Sequence, residues 1–329
     1  MLQRPIPVTV VTGFLGAGKT TLVNCLLADH RPLNIAVVVN EYGKVGIDGE
    51  LIEAEPDAVI EIRNGCVCCT VRADLVGSVL RLLERPGPPI ERLIVETSGL
   101  ADPAPVLQSF LADGSLRERV RLESVVTLVD AVHAAATWHD DIAREQLAFA
   151  DVLVLSKADL VTPAALAGLH RQLAVLNPTA AIIRAAHGRT TEPLLGINRF
   201  SLADVLAIEP ALLDDAPHDH EHDSSIVALS FTQAGALDAP RFERWINRLA
   251  QTRGADLLRM KGILSLAGEA RRYHFHGVHM LLETTPGRRW AAHEQRETRL
   301  VMIGRGLDAT SIAEQLQACR VTAEAGSPA

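Results

Sequence analysis

The stretch VTVVTGFLGAGKTT, Val8 to Thr21, decides the fold. Val8–Thr12 is a β-branched apolar run that reads as a buried strand. It leads into Gly13, Gly16, Ala17, Gly18, Lys19 and Thr20, which match the spacing G-x-x-x-x-G-K-[ST]. A helical pattern follows over Thr20–Ala28. Glycines let the backbone wrap closely around phosphate groups and aim successive N–H groups inward. The helix start adds the positive end of its dipole. The spacing predicts that Lys19 reaches the β- and γ-phosphates and that Thr20 sets its hydroxyl on Mg²⁺, with Thr21 at the loop's end.

Outward from this stretch, apolar runs recur at Ile35–Val39, Leu93–Val95, Ser124–Val129, Val152–Leu155 and Ala180–Ile183. Helical periodicity lies between them, as at Leu75–Leu83 and Leu166–Leu176. Strands alternating with helices predict an α/β domain with a mostly parallel sheet flanked by helices. That domain is expected over residues 1–207. Residues 208–224 (IEPALLDDAPHDHEHDS) are acidic, histidine-rich and broken by proline, and read as a linker. A smaller α+β domain is expected over 225–320. Its elements are a strand at Ile226–Phe231, a helix at Pro240–Arg253, strand-like runs at Leu257–Leu266, Arg271–His276, His279–Thr284 and Thr298–Ile303, and a helix at Ala309–Cys319. Residues 321–329 read as a tail.

Composition narrows the function classes. Apolar residues make up 48% of 329, enough for a sizeable core. A net charge of −8 argues against non-specific nucleic-acid binding, which needs a basic patch. No secretory pattern or membrane-spanning run is visible, so a cytoplasmic protein without membrane contact is expected. The five cysteines are odd in number, and three crowd together, which fits reduced thiols better than a disulfide framework.

Two further motifs bear on the nucleotide. Ser156-Lys157-Ala158-Asp159 follows a strand and resembles the base-reading [NT]-K-x-D box, with serine in place of asparagine. An Asp159 carboxylate could accept from guanine N1–H and the 2-amino group, a pair adenine does not offer. Glu96-Thr97-Ser98-Gly99 places a carboxylate at a strand end with a glycine three positions on. Glu96 could serve Mg²⁺ or orient the attacking water, and the Gly99 N–H could sense the γ-phosphate. GTP and GDP with Mg²⁺ are therefore the expected ligands, and a P-loop kinase is disfavoured. No arginine finger is evident, so intrinsic turnover should be slow.

Cys66, Cys68 and Cys69 lie between these motifs. Thiolates suit Zn²⁺, Cu(I) and, to a lesser degree, Co²⁺. In an extended turn Cys66 and Cys68 share a side, and Cys69 joins them only if the backbone bends. Glu41 is the nearest motif carboxylate to nominate. His218, His220 and His222 alternate in the linker, either as a weak accessory metal feature or as a solvated acidic run. The bland reading, a buried inert thiol, suits Cys25 and Cys319.

GFLGAGKTT, VNEYGKVGID, NGCVCC, ETSGLADP and SKAD occur in the order of the CobW-type P-loop GTPases. RMKGIL (259–264), HGVHM (276–280) and LVMIGRGLD (300–308) resemble that family's C-terminal domain, so the resemblance spans nearly the whole chain. It implies a low-turnover, metal-regulated GTPase that carries or inserts a transition metal, zinc before cobalt. Cys66, Cys68 and Cys69 would be the metal ligands and an apo-metalloprotein the client. Lys44 stands where relatives commonly have an acidic residue, which counts against a carboxylate-rich accessory site. A metal-sensing scaffold that recruits a client without transfer, and a cobalt chaperone for cobalamin synthesis or nitrile hydratase, stay open. Oligomeric state is unread.

Overall fold

The structure, a computed structural model, describes residues 4–42, 59–64, 69–200 and 226–321, with side chains for 4–39, 75–200 and 226–321. Cys66, Cys68, His218, His220, His222, Lys44 and the expected linker lie outside the described residues. The chain divides into two compact units, Met1–Val205 and Leu206–Ala329.

Unit one is built on an eight-stranded sheet. The strands are β1 (Ile6–Gly13), β2 (Ile35–Tyr42), β3 (Val59–Asn64), β4 (Arg92–Thr97), β5 (Val120–Asp130), β6 (Val152–Ser156), β7 (Ala181–Ala186) and β8 (Arg189–Thr190). Their order is β3-β2-β4-β1-β5-β6-β7-β8, parallel throughout except for the antiparallel edge pair β7–β8. β1, β4, β5 and β6 are buried along most of their lengths, so they read as continuous apolar runs rather than alternating ones. The crossover helices are α1 (Lys19–Asp29), α2 (Cys69–Leu83), α3 (Ala104–Ala112), α4 (Gly114–Arg117), α5 (Ala134–Thr137), α6 (Asp141–Phe149) and α7 (Pro163–Leu176).

Leu22, Val23 and Leu26 of α1 pack with Val11, Val37, Ile94 and Val126 in one apolar cluster. Leu166, Leu169 and Leu173 of α7 join Leu153, Leu155 and Leu147 in another. Asn177, fully buried, joins the ends of α6 and α7. Its amide nitrogen donates to the carbonyls of Leu147 (2.8 Å) and Ala150 (2.9 Å), and its oxygen accepts from Thr179 N (3.1 Å) and Oγ1 (2.9 Å).

The sequence missed β3, the two-residue β8 and the short helices α3–α6. β3 carries the alternating, half-polar pattern VIEIRN, which lacks a continuous apolar run. α2 begins at Cys69, six residues before the periodic segment Leu75–Leu83. Cys69 is therefore the first residue of a helix.

Unit two is a five-stranded antiparallel sheet with two helices. β9 (Ile226–Ala234), β10 (Leu257–Ser265), β11 (Arg271–Val278), β12 (Leu281–Arg289) and β13 (Glu297–Arg305) run in the order β12-β11-β10-β13-β9. α8 (Ala239–Arg253) and α9 (Ala309–Ala318) complete it. Strand alternation separates two faces. Met260 and Leu264 join Phe242, Trp245, Phe275 and Leu316 in the core. Phe242 and Phe275 meet edge to face at 5.6 Å. Arg259 and Lys261 occupy the other face of β10, and His276 Nε2 lies 3.2 Å from Glu283 on the neighbouring strand. His279, expected in a strand, sits instead in the β11–β12 turn at φ 50°, with Nδ1 2.9 Å from the carbonyl of Gly254.

Replacing Asn177 with alanine strands several buried carbonyl and hydroxyl groups at once. Asn177→Ala should lower unfolding free energy by roughly 2–3 kcal/mol. Urea denaturation of wild type and variant checks this, and an unchanged midpoint would contradict the role given to Asn177.

Candidate nucleotide site

Parallel strands all deliver their C-terminal ends to one edge, and the site is assembled there. β1 ends in the loop 13–18, β4 in Glu96 and Thr97, β5 in Asp130, β6 in Ser156 and β7 in Ala186. Gly13, Gly16 and Gly18 have φ of 135°, 72° and 94°, the left-handed region that costs glycine least. At Gly13 a Cβ would also meet the Leu128 carbonyl oxygen at 2.5 Å. Ala17 is buried, and its N–H donates to the Phe14 carbonyl.

α1 has Gly18 at its cap, with no side-chain cap bond and no acidic residue in its first turn. By contrast α6, α7, α8 and α9 are capped by Asp140, Thr162, Asp238 and Asp308. The first turn of α1 thus keeps its amides and dipole for an external anion. Lys19 is buried, and its ammonium donates to the carbonyls of Gly13 (2.9 Å) and Phe14 (3.3 Å), beside the phosphate cradle.

The structure brings Thr20 and Glu96 together across 76 residues of chain. Thr20 Oγ1 donates to Glu96 Oε1 at 2.8 Å, and Glu96 is 1% exposed. Thr97 Oγ1 donates to Thr12 Oγ1 at 2.8 Å, fastening β4 to β1 at the same level. Gly99 presses against the loop: a Cβ there would sit 2.8 Å from Leu15 N and 2.9 Å from Leu15 Cα. Gln146 on α6, almost fully buried, donates to the carbonyls of Gly99 and Ala101, each at 3.1 Å. The turn after Glu96 is thereby held against the phosphate loop from both sides.

The SKAD turn is held to the same loop. Ser156 Oγ donates to the Ala17 carbonyl at 2.7 Å. A serine hydroxyl, replacing the expected asparagine, makes this tie. Lys157, at φ 54°, donates from Nζ to the Gly16 carbonyl (3.1 Å) and to Asp130 Oδ2 (2.7 Å). Asp159 lies in a short 3₁₀ turn, Ala158–Leu160, with His187 Nε2 at 3.6 Å from Oδ2. His187 and Gly188 form the β7–β8 turn, and Gly188 packs so close to α1 that a Cβ would meet Thr21 O at 3.0 Å.

Burial pushes the Asp130 carboxyl up, but Lys157, His133 and the Val132 amide all donate to it and hold it below the usual carboxylate range. Sequence reasoning missed Asp130, Gln146 and His187. A carboxylate at the C-terminal end of a parallel strand was the available signal for Asp130. Gln146 and His187 carry no local signal, because their partners are far away in the chain.

Of the metal candidates, Glu41 lies in β2 opposite Arg63 of β3, and Cys69 opens α2. β3 and β2 run parallel to β4, so Asn64, Glu41 and Glu96 all stand at the C-terminal ends of their strands. Among the described residues no group of three His, Cys, Asp or Glu side chains could hold a metal ion. Cys319 is buried, and burial pushes its thiol up, as suits an inert core residue. Cys25, expected to be a buried inert thiol, is only half-buried and donates weakly to the His187 carbonyl at 3.5 Å.

The chain is matched by known proteins. Residues 7–184 fit the model of the CobW/HypB/UreG nucleotide-binding domain, and 226–320 fit the cobalamin synthesis protein cobW C-terminal domain. The chain belongs to the CobW family. It is a P-loop GTPase. The chain is 35% identical over 308 residues to the zinc chaperone YjiA of Escherichia coli, covering 92% of this chain and 95% of that protein. It is 34% identical to the zinc chaperone CobW of Pseudomonas aeruginosa, covering 95% and 91%. A crystal structure of the Zn(II)-bound YjiA GTPase from E. coli superposes with a TM-score of 0.73 at 27% identity, over 97% of this chain and 100% of that one. Among the described residues of this CobW-family GTPase, no helix is long and apolar enough to cross a membrane.

A methyl group at residue 99 must push the Leu15 backbone or the Gln146 contact aside. Gly99→Ala should lower the turnover of GTP by about tenfold or more, since small displacements of positioning groups are costly. GDP affinity should change far less. Single-turnover hydrolysis beside GDP titration tests this, and equal losses in both would count against a role at the γ-phosphate.

Proposed function

We propose that this GTPase is a zinc chaperone. In this reading Cys66, Cys68 and Cys69 grip the metal in a nucleotide-dependent way and surrender it to an apo-metalloprotein client. One observation carries the reading: Cys69 begins the helix that follows β3, and β3 ends at the sheet edge where the phosphate loop and Glu96 stand. The naming of two full-length relatives as zinc chaperones supports zinc over cobalt. So does thiolate softness.

GTP is held by the amides of residues 13–21, with Lys19 on its phosphates and Lys157 and Asp159 on its base. Thr20 and Glu96 fit a Mg²⁺ ion. A hydroxyl and a buried carboxylate lie 2.8 Å apart beside an uncapped helix start, a pairing of hard oxygen donors suited to Mg²⁺. Bound there, the ion would neutralise charge on the β- and γ-phosphates. Glu96 itself either supports that ion or orients the attacking water.

Nucleotide gating follows from the shared edge. Ordering of the Glu96–Gly99 turn by the γ-phosphate would draw neighbouring strand ends into register, and hydrolysis would relax them. Glu41 is a candidate fourth ligand, and His218, His220 and His222 are a weak capture site. Turnover is expected to be slow until metal or client engages.

Competition titrations of Zn²⁺ and Co²⁺, with GDP and with a non-hydrolysable GTP analogue, test the reading. The wild type should bind zinc at least about fivefold tighter with the GTP analogue, and zinc should tighten the analogue by the same factor. Single Ser substitutions at Cys66, Cys68 and Cys69 should each reduce the metal affinity. Equal zinc affinity in both nucleotide states would remove the gate. Tighter, gated cobalt binding would shift the cargo to cobalt. Activation of an apo-zinc enzyme no faster than by free Zn²⁺ would favour a scaffold that recruits without transferring.

A further inference from the structure

Asp130 closes β5 directly beside Ser156, its partner in the β5–β6 pairing. Its two oxygens have separate tasks. Oδ1 accepts from the backbone N–H groups of Val132 (2.9 Å) and His133 (3.3 Å), and so shapes the turn that leaves the strand. Oδ2 accepts from Lys157 Nζ at 2.7 Å and faces His133 Nδ1 at 2.9 Å. The Asp130 side chain is 12% exposed, whereas that of His133 is 66% exposed. Lys157 Nζ also donates to the Gly16 carbonyl at 3.1 Å. Asp130, Lys157 and Gly16 form one wall of a cavity of about 280 Å³ that lies against the phosphate loop.

We propose that Asp130 is a positioning residue for the nucleotide. It holds the Lys157 ammonium on the phosphate loop, and so fixes the distance between the base-reading turn and the phosphate cradle. The inference deepens the reading of Lys157 and Asp159 as base-binding residues and rests on it. Lys157 sits in a left-handed backbone conformation that a lysine seldom adopts, and such a conformation persists where its surroundings over-determine it. An exposed lysine would otherwise sample many rotamers, and its stem would not form a fixed wall for a base. A charge-assisted bond to a mostly buried carboxylate removes that freedom before the nucleotide arrives. GTP and GDP share both the base and the α- and β-phosphates, so the benefit should be equal for the two.

The discriminating variant is Asp130→Asn. Its carboxamide oxygen can still accept from Val132 N, so the turn survives, but its NH₂ group meets the Lys157 ammonium donor to donor. Full-length protein with fluorescent GTP and GDP analogues supplies the readout, together with steady-state hydrolysis and a melting curve. We expect both nucleotides to bind about tenfold more weakly, mainly through faster dissociation. KM for GTP should rise by a similar factor, with kcat at saturation moving less than about twofold. Lys157→Met, which leaves the Asp130 turn untouched, should reproduce the loss, and adding Asp130→Asn to it should cost nothing more. Wild-type affinity in Asp130→Asn, with Lys157→Met impaired, overturns the role of Asp130 and leaves the base-reading turn standing. Wild-type affinity in Lys157→Met overturns both. Losses that multiply in the double variant show that Asp130 does not act through Lys157, and likewise overturn the proposal.

Discussion

A phosphate loop works only if its amides stay turned inward, and a glycine-rich loop cannot enforce that alone. Three ties from two strand ends do it here. Ser156 from β6 fixes the Ala17 carbonyl, Lys157 fixes that of Gly16, and the turn after β4 stacks Gly99 on Leu15. Each tie engages a carbonyl or a bare Cα and uses no N–H group of the loop, within which the Ala17 N–H donates to the Phe14 carbonyl. The uncapped start of α1 adds to this arrangement. Chemistry depends on a parallel sheet because only such a sheet brings five strand ends to one edge.

Similar ties join the strand ends to one another. Glu96 is held by Thr20, Thr97 by Thr12, and the next turn by Gln146. Gly99 is tied to α6 through Gln146, and β4 is paired to β2 at Thr97 and Asn40. Unit two is organised differently. Its antiparallel sheet buries one apolar face under α8 and α9 and sets Arg259 and Lys261 on the other.

Much of the fold was legible because buried parallel strands leave unmistakable apolar runs. All six runs read in the first two hundred residues correspond to strands, and the helix after the phosphate loop begins where the glycines stop. Elements without such a signature were missed. β3 alternates charge with isoleucine, β8 is two residues long, and α4 and α5 span one turn each. Cys69 was expected to join Cys66 and Cys68 only if the backbone bends, and a helix begins at Cys69, hidden in the sequence because helix periodicity becomes visible only at Leu75. His279 failed as a strand residue because its place is set by a tight hairpin turn and a contact with Gly254.

Sequence by itself determined the family of chemistry. Gly13 to Thr20 specify a phosphate cradle, because that function is carried by consecutive backbone amides and needs no distant partner. It likewise singled out Glu96, Lys157 and Asp159 by their positions after strands. Tertiary structure alone decided which groups hold these residues. Asp130 under Lys157, Gln146 under Gly99 and Ser156 under Ala17 are contacts between segments 27 to 139 residues apart. Side-chain bonds across strand ends depend on strand order and register, and no local pattern of residues encodes either one.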